Sequence, residues 1–221
     1  MRRVKNISMK PTAILFDLDG TLTDSGEGII NCVSYTLGEF GLPIPSREAL
    51  RVFVGPPLRE SFPRFGIPVD QVENAIAIYR LHYNATGKFE NTPYPGIPEL
   101  LQKLKSDGHR LLVATSKPEH MSIEILEHFD LAKYFTLICG ASLDLSRNSK
   151  DAVIAYLLQQ TETDGEIVMV GDTAFDVLGA KMHGIPTIGV SWGYGKVEDI
   201  ENAGAAAIVH TMDELYNALN R

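Results

Sequence analysis

Apolar residues follow two different spacings along the chain. Five short segments are almost continuously hydrophobic: TAILFD (12–17), RLLVATS (110–116), YFTLICG (134–140), EIVMVGD (166–172) and PTIGVSWG (186–193). Runs of this length, rich in β-branched and aliphatic residues, predict strands buried on both faces, as in a parallel sheet. Between the later runs the spacing becomes helical. Residues 97–107 place Ile97, Leu100, Leu101 and Leu104 on one side, with Pro98 suited to the first helical position and Gly108 to the stop. Residues 150–160 repeat the period through Val153, Ile154, Leu157 and Leu158. Alternation of this kind predicts an α/β fold with a doubly wound, Rossmann-like parallel sheet.

One long stretch breaks the alternation. GIINCVSYTLGEF carries Ile29, Ile30, Val33, Leu37 and Phe40 at helical spacing. VDQVENAIAIYRLHY does the same with Val72, Ile76, Tyr79 and Tyr83, behind Asp70 and Glu73 at capping-box spacing. About seventy residues without a good strand predict an all-α module, residues 25–94, inserted into an α/β core of residues 11–24 and 95–221. The Pro-rich piece NTPYPGIP (91–98) reads as the return linker, and residues 1–10 as a flexible tail.

Composition narrows the partners rather than the fold. The chain has 221 residues, room for one to two domains, and 44% are hydrophobic, which sets it apart from disordered chains. Its 28 acidic and 20 basic residues give a net charge of −8, so a nucleic-acid partner is not expected. Cys32 and Cys139 lie far apart in apolar surroundings, a pattern of reduced packing thiols rather than a bridge or a zinc site. MRRVKNISMKPTAILF lacks the apolar stretch of a signal peptide, and no run approaches the roughly 18 apolar residues of a membrane span. The expectation is a cytoplasmic protein without a membrane partner, monomeric or homodimeric. The six histidines show no ligand spacing.

The candidate chemistry sits where strands end. Three predicted strands run out into polar residues: Asp17 with Asp19, Thr115 with Ser116, and Gly171 with Asp172. Open α/β sheets bind ligands outside the carboxyl ends of their strands, where strand order reverses, and an order 3-2-1-4-5 would bring these ends together. DLDGT (17–21), VATS (113–116), Lys150 ahead of a helix, and GDTAFD (171–176) resemble the four motifs of the haloacid dehalogenase-like hydrolase superfamily. The helical insert resembles that family's small α-helical cap. The likeness spans residues 12–215 and is nearest to the phosphoglycolate-phosphatase-like and 5′-nucleotidase-like branches. Two departures stand out: Thr23 occupies a usually apolar position, and no Lys-Pro-x-Pro surrounds Lys150.

The resemblance implies a Mg²⁺-dependent phosphatase acting on a small phosphorylated metabolite, phosphoglycolate or a nucleoside 5′-monophosphate. Asp17 would be the nucleophile and form an aspartyl phosphate, while Asp19 acts as general acid and then base. The Asp17 side chain, the Asp19 main-chain carbonyl and Asp172 would hold Mg²⁺, steadied by Asp176. Thr115 and Ser116, Lys150, Lys117 and the amides around Gly20 and Thr21 would bind phosphate. FVGPPL, with Gly55 and Pro56, matches a cap loop directed at the site, and Arg59, Arg64 and Arg80 are further cap candidates. Trp192 reads as packing. A hexose-phosphate mutase of the same superfamily, or a non-catalytic phospho-acceptor protein, are the alternatives.

Overall fold

Strand β1 (Ala13–Phe16) consists of four buried apolar residues near the middle of a six-stranded parallel sheet. The others are β2 (Arg110–Pro118), β3 (Leu137–Ala141), β4 (Ile167–Gly171), β5 (Thr187–Val190) and β6 (Ala207–Val209). The order across the sheet is β3-β2-β1-β4-β5-β6, all neighbours parallel. The five expected strands are present in the expected order. The sixth, β6, was not anticipated: three residues at a sheet edge, two of them only half-buried, are too short a run to stand out. A computed structural model describes residues 11–54, 58–144, 146–161 and 165–220.

Eight helices longer than one turn accompany the strands among the described residues: α1 (Gly26–Glu39), α2 (Val72–Ala85), α3 (Ile97–Ser106), α4 (Glu119–His128), α5 (Lys150–Gln160), α6 (Ala174–Lys181), α7 (Val197–Ala203) and α8 (Met212–Leu219). Successive strand residues face opposite ways, and β1 divides its side chains accordingly. Ile14 and Phe16 join a core with Leu101 and Leu104 of α3, Ile125 of α4 and Leu215 of α8. Ala13 and Leu15 join another with Val153, Ile154 and Leu157 of α5 and Ala180 of α6. Each fully buried aliphatic side chain stabilises by roughly 1.5–3 kcal/mol, so both layers are firmly attached.

This arrangement positions the strand ends. Phe16 pairs with Val113 of β2 on one side and Val170 of β4 on the other. Asp17, Thr115 and Asp172 therefore emerge at nearly one level, where strand order reverses. Continuing the alternation, Asp17 falls on the face of Ala13 and Leu15, the face covered by α5 and α6. The first turns of those two helices carry Lys150 and Asp176.

The chain divides into two compact units, Asp24–Thr92 and the remainder. Within Asp24–Thr92, helices α1 and α2 surround an aromatic cluster in which Phe53, Phe62, Tyr79 and Tyr83 are buried. The capping box expected from Asp70 and Glu73 does not form. A 3-10 turn over Val69–Gln71, following Pro68, occupies that position, and Gln71 precedes α2 without a side-chain cap. Glu73 instead pairs with Arg59 at 2.8 Å. Cys32 and Cys139 are free and buried. Among the described residues no helix is long and apolar enough to cross a membrane. Residues 1–10, Gly55 and Pro56 lie outside the described residues.

Candidate active site

Lys150 is the hub of the strand-end cluster. Ser149 starts α5 by accepting the Ala152 amide on its hydroxyl, which turns Lys150 toward the sheet as the helix's first residue. The ammonium lies 2.8 Å from Asp17 Oδ1, 2.8 Å from Asp176 Oδ1, and donates to the Ala114 carbonyl at 2.9 Å. Asp17 Oδ1 also accepts the Leu18 amide at 2.8 Å, which fixes the carboxyl's rotation. Asp176 is fully buried and works with both oxygens. Its Oδ2 accepts the Thr173 amide at 3.0 Å and hydroxyl at 2.8 Å, closing the first turn of α6. Gly179 in α6 makes room for this packing, since a Cβ there would meet Lys150 Cγ at 2.7 Å.

Asp172, also fully buried, is held from the other side. Thr21 donates its hydroxyl to Oδ1 at 3.0 Å, and the Tyr194 amide donates to Oδ2 at 2.8 Å. Two glycines allow the main chain this close. Gly20 has φ +82°, and a Cβ there would come within 2.2 Å of Asp172 Oδ2; one on Gly193 would come within 2.3 Å. Trp192 adds a hydrogen bond from Nε1 to the Thr21 carbonyl at 3.2 Å, tying the loop after β5 to the DLDGT turn. Sequence reasoning read Trp192 as packing and missed Gly193, Tyr194 and Gly195. The Gly-Tyr-Gly pattern at a strand exit was the available signal of close backbone approach.

The remaining candidates are distributed unevenly. Thr115 is buried, hydrogen bonds to Asp17, and accepts the Lys117 amide at 3.3 Å. Ser116 is exposed. Lys117 donates to both carboxylate oxygens of Asp19, at 2.8 and 3.0 Å. The amides of Gly20 and Thr21, expected to form an anion-binding nest, are directed inward instead: Gly20 donates to the Thr23 carbonyl at 2.8 Å and Thr21 to the Leu18 carbonyl at 3.3 Å. The tightness of the turn that brings Gly20 against Asp172 accounts for this. Arg59 pairs with Glu73, while Arg64 and Arg80 are exposed.

Oxygens of Asp17, Asp172 and Asp176 all lie within 4.8 Å of one another. Three carboxylates against one ammonium leave an excess of two negative charges in a buried place. The titration behaviour reflects that excess. Burial pushes Asp17 up to about 6, with the Asp176 charge adding and Lys150 opposing. Burial likewise pushes Asp172 up to about 8, reinforced by Asp176 and Asp17 and opposed by the Tyr194 amide and Thr21 hydroxyl. Burial alone would lower Lys150, yet Asp17 and Asp176 outweigh it and hold its pKa above the usual value. An all-oxygen donor set with two surplus negative charges fits one hard divalent cation. Three aspartates here could hold such an ion.

Comparisons agree with this geometry. A profile described as haloacid dehalogenase-like hydrolase matches residues 14–190. The chain is 42% identical to a Mycobacterium tuberculosis protein named tyrosine-protein kinase PtkA, over 99% of this chain and 76% of that one. It is 39% identical to a 5′-nucleotidase of Pseudomonas aeruginosa, over 89% of this chain and 90% of the other. A crystal structure of a predicted phosphatase from Clostridium acetobutylicum superposes with a TM-score of 0.85 at 44% identity, covering 95% of this chain and 98% of that one. With the profile spanning most of its length and the strand-end acids in place, the chain belongs to the haloacid dehalogenase-like hydrolase family, among its phosphatases.

Proposed function

We propose that the protein hydrolyses phosphomonoesters of small metabolites through a phosphoryl group carried on Asp17. The observation that carries this reading is the convergence of Asp17, Asp172 and Asp176 around Lys150 at the ends of β1 and β4. Phosphoglycolate and nucleoside 5′-monophosphates are the candidate substrates, the latter supported by the 5′-nucleotidase relative.

The chemistry divides into two displacements. The Asp17 carboxylate attacks phosphorus, the bond to the leaving oxygen breaks, and Asp19 gives that oxygen a proton. Water then attacks the aspartyl phosphate while Asp19 takes a proton from it, releasing inorganic phosphate and restoring Asp17. Lys150 and the Leu18 amide hold the Asp17 carboxyl in one orientation throughout, so attack begins from a fixed position. Thr115, hydrogen bonded to Asp17, supplies a hydroxyl at the same strand end. Mg²⁺ held by Asp17, Asp172 and the Asp19 carbonyl, with Asp176 behind them, would offset the repulsion between a carboxylate and a phosphate dianion.

The test is release of phosphate from an aryl phosphate with Mg²⁺, against an Asp17→Asn control. Equal release by both proteins would defeat the reading. A panel of phosphorylated metabolites ranked by kcat/KM then identifies the substrate. The relative named as a kinase favours a second reading, in which an acceptor hydroxyl rather than water receives the phosphoryl group. The fate of labelled phosphate separates the two: free phosphate for hydrolysis, a labelled acceptor for transfer.

A further inference from the structure

Arg147 lies in the loop between β3 and α5, and its sequence surroundings do not set it apart. In the fold its side chain is 15% exposed and meets three elements. Its Nε donates to the Gly140 carbonyl of β3 at 2.7 Å, and its Nη2 donates to Glu119 Oε2, also at 2.7 Å. The guanidinium carbon stands 3.8 Å from the centroid of the Tyr156 ring on α5. Glu119, the first residue of α4, accepts the Gly140 amide on the same Oε2 at 3.2 Å. The pair thus takes both main-chain polar groups of Gly140, at the place where the β2–β3 register slips between Ala114 and Pro118. A Cβ on Gly140 would meet the Lys117 carbonyl oxygen at 2.5 Å and the Glu119 nitrogen at 2.7 Å, so only glycine admits that segment this close. Behind the clamp, the Ser142 amide donates to the Arg147 carbonyl at 2.9 Å and the Arg147 amide to the Ser142 hydroxyl at 3.0 Å.

We infer that Arg147, with Glu119, is a positioning residue for the reaction: it braces the two chain segments that carry the lysines gripping Asp17 and Asp19. The inference rests on the phosphatase reading of the site. Lys117 precedes Glu119 by two residues, and Lys150 follows Arg147 by three. Lys117 holds the Asp19 carboxylate and Lys150 that of Asp17. The Arg147–Glu119 pair therefore links the holder of one carboxylate to the holder of the other, and loosening it frees both. The body of α5 does not need this support, since Ser149 caps the helix and Val153, Ile154 and Leu157 are fully buried. What the pair adds is placement at the lysine end. Misplacing a reacting group by about 1 Å costs on the order of 100-fold in rate. Arginine suits the task because its planar fork aims two donors at once and offers Tyr156 a flat face, which a lysine ammonium does not.

Kinetics with an aryl phosphate and Mg²⁺, joined to NMR of the lysine ammonium groups, tests this. The Lys150 ammonium, buried with three oxygens around it, should give a slowly exchanging proton signal, identified by its loss in Lys150→Met. Arg147→Ala should lower kcat about tenfold or more at a temperature where circular dichroism shows it fully folded, and should broaden or abolish that signal. Arg147→Lys should recover Tm more than it recovers kcat. Adding Glu119→Gln to Arg147→Ala should cost no further activity, since the two side chains act as one unit. Unchanged kcat in folded Arg147→Ala would overturn the inference. So would a fall in kcat with the Lys150 signal intact, full recovery of kcat by Arg147→Lys, or additive losses in the double variant. Should Arg147→Ala fail to fold, Glu119→Gln decides: it keeps an acceptor for the Gly140 amide, and it should still lower kcat and broaden the signal. Failure of either contradicts the brace. Wild-type protein that hydrolyses no ester would sink the phosphatase reading, and the Lys150 signal would still show whether the brace holds.

Discussion

Asp17 shows how a carboxyl proposed as the nucleophile lowers stability where it is buried. Its pKa is raised by burial and by Asp176 to about 6, above the ordinary 3.8, so at neutral pH the folded protein holds an unfavourable charge. Asp17→Asn should therefore move two measurements in opposite directions. Turnover should fall by about 10⁴-fold or more, as expected when a nucleophile is removed. Metal-free stability near pH 7.5 should rise by about 1–3 kcal/mol in denaturant melts. Asp172, raised to about 8, extends the same effect to higher pH. Because both folded values exceed their unfolded ones, the folded state binds more protons. Metal-free stability should consequently fall as pH climbs from about 4 to about 8. Mg²⁺, the proposed ion, would need these carboxylates ionised, so a rise in Tm on its addition should be larger at pH 8 than at pH 5. Thermal melts at the two pH values, with and without Mg²⁺, check this; equal shifts would contradict it.

Elements deliver these residues, and helix α6 is the least forgiving of them. Replacing a helical glycine by alanine ordinarily stabilises by about 1 kcal/mol. At Gly179 the added Cβ would meet Lys150 Cγ at 2.7 Å and Lys150 Cβ at 2.8 Å. Overpacking of this kind costs about 1–3 kcal/mol, so Gly179→Ala should lower both Tm and kcat by shifting the Lys150 ammonium off Asp17. A more stable variant with full activity would show that α5 and α6 have slack. The elements themselves were readable in the sequence wherever spacing was strong. β1, α3 and α5 follow from apolar period alone, and Asp17 and Asp172 from their place at strand ends. Strand β6 was not readable, because three residues, two of them only half-buried, are too few to leave a pattern. Nor was the start of α2, where Pro68 favoured a 3-10 turn over a side-chain cap. The grip of Lys117 on Asp19 joins positions 98 apart and depends on side-chain placement that no local pattern encodes.

Every residue of the two sheet cores described above lies outside Asp24–Thr92. Excising that unit and joining Thr23 to Pro93 by a short Gly-Ser linker should leave a folded sheet whose Tm still rises with Mg²⁺. Discrimination among phosphorylated substrates should be lost, since the resemblance to the family's small α-helical cap implies that the insert directs a loop at the substrate. Calorimetry of the excised protein and its kcat/KM ranking would show both; an unfolded product would mean the sheet depends on the insert. Thr21 and Asp172, joined by a hydrogen bond, are 151 positions apart in the chain. During synthesis, then, the ribosome releases the DLDGT turn long before the partners that give it meaning. The emerging polypeptide carries an inert pair of acids, and the proposed chemistry becomes possible only once Asp172 has been made as well.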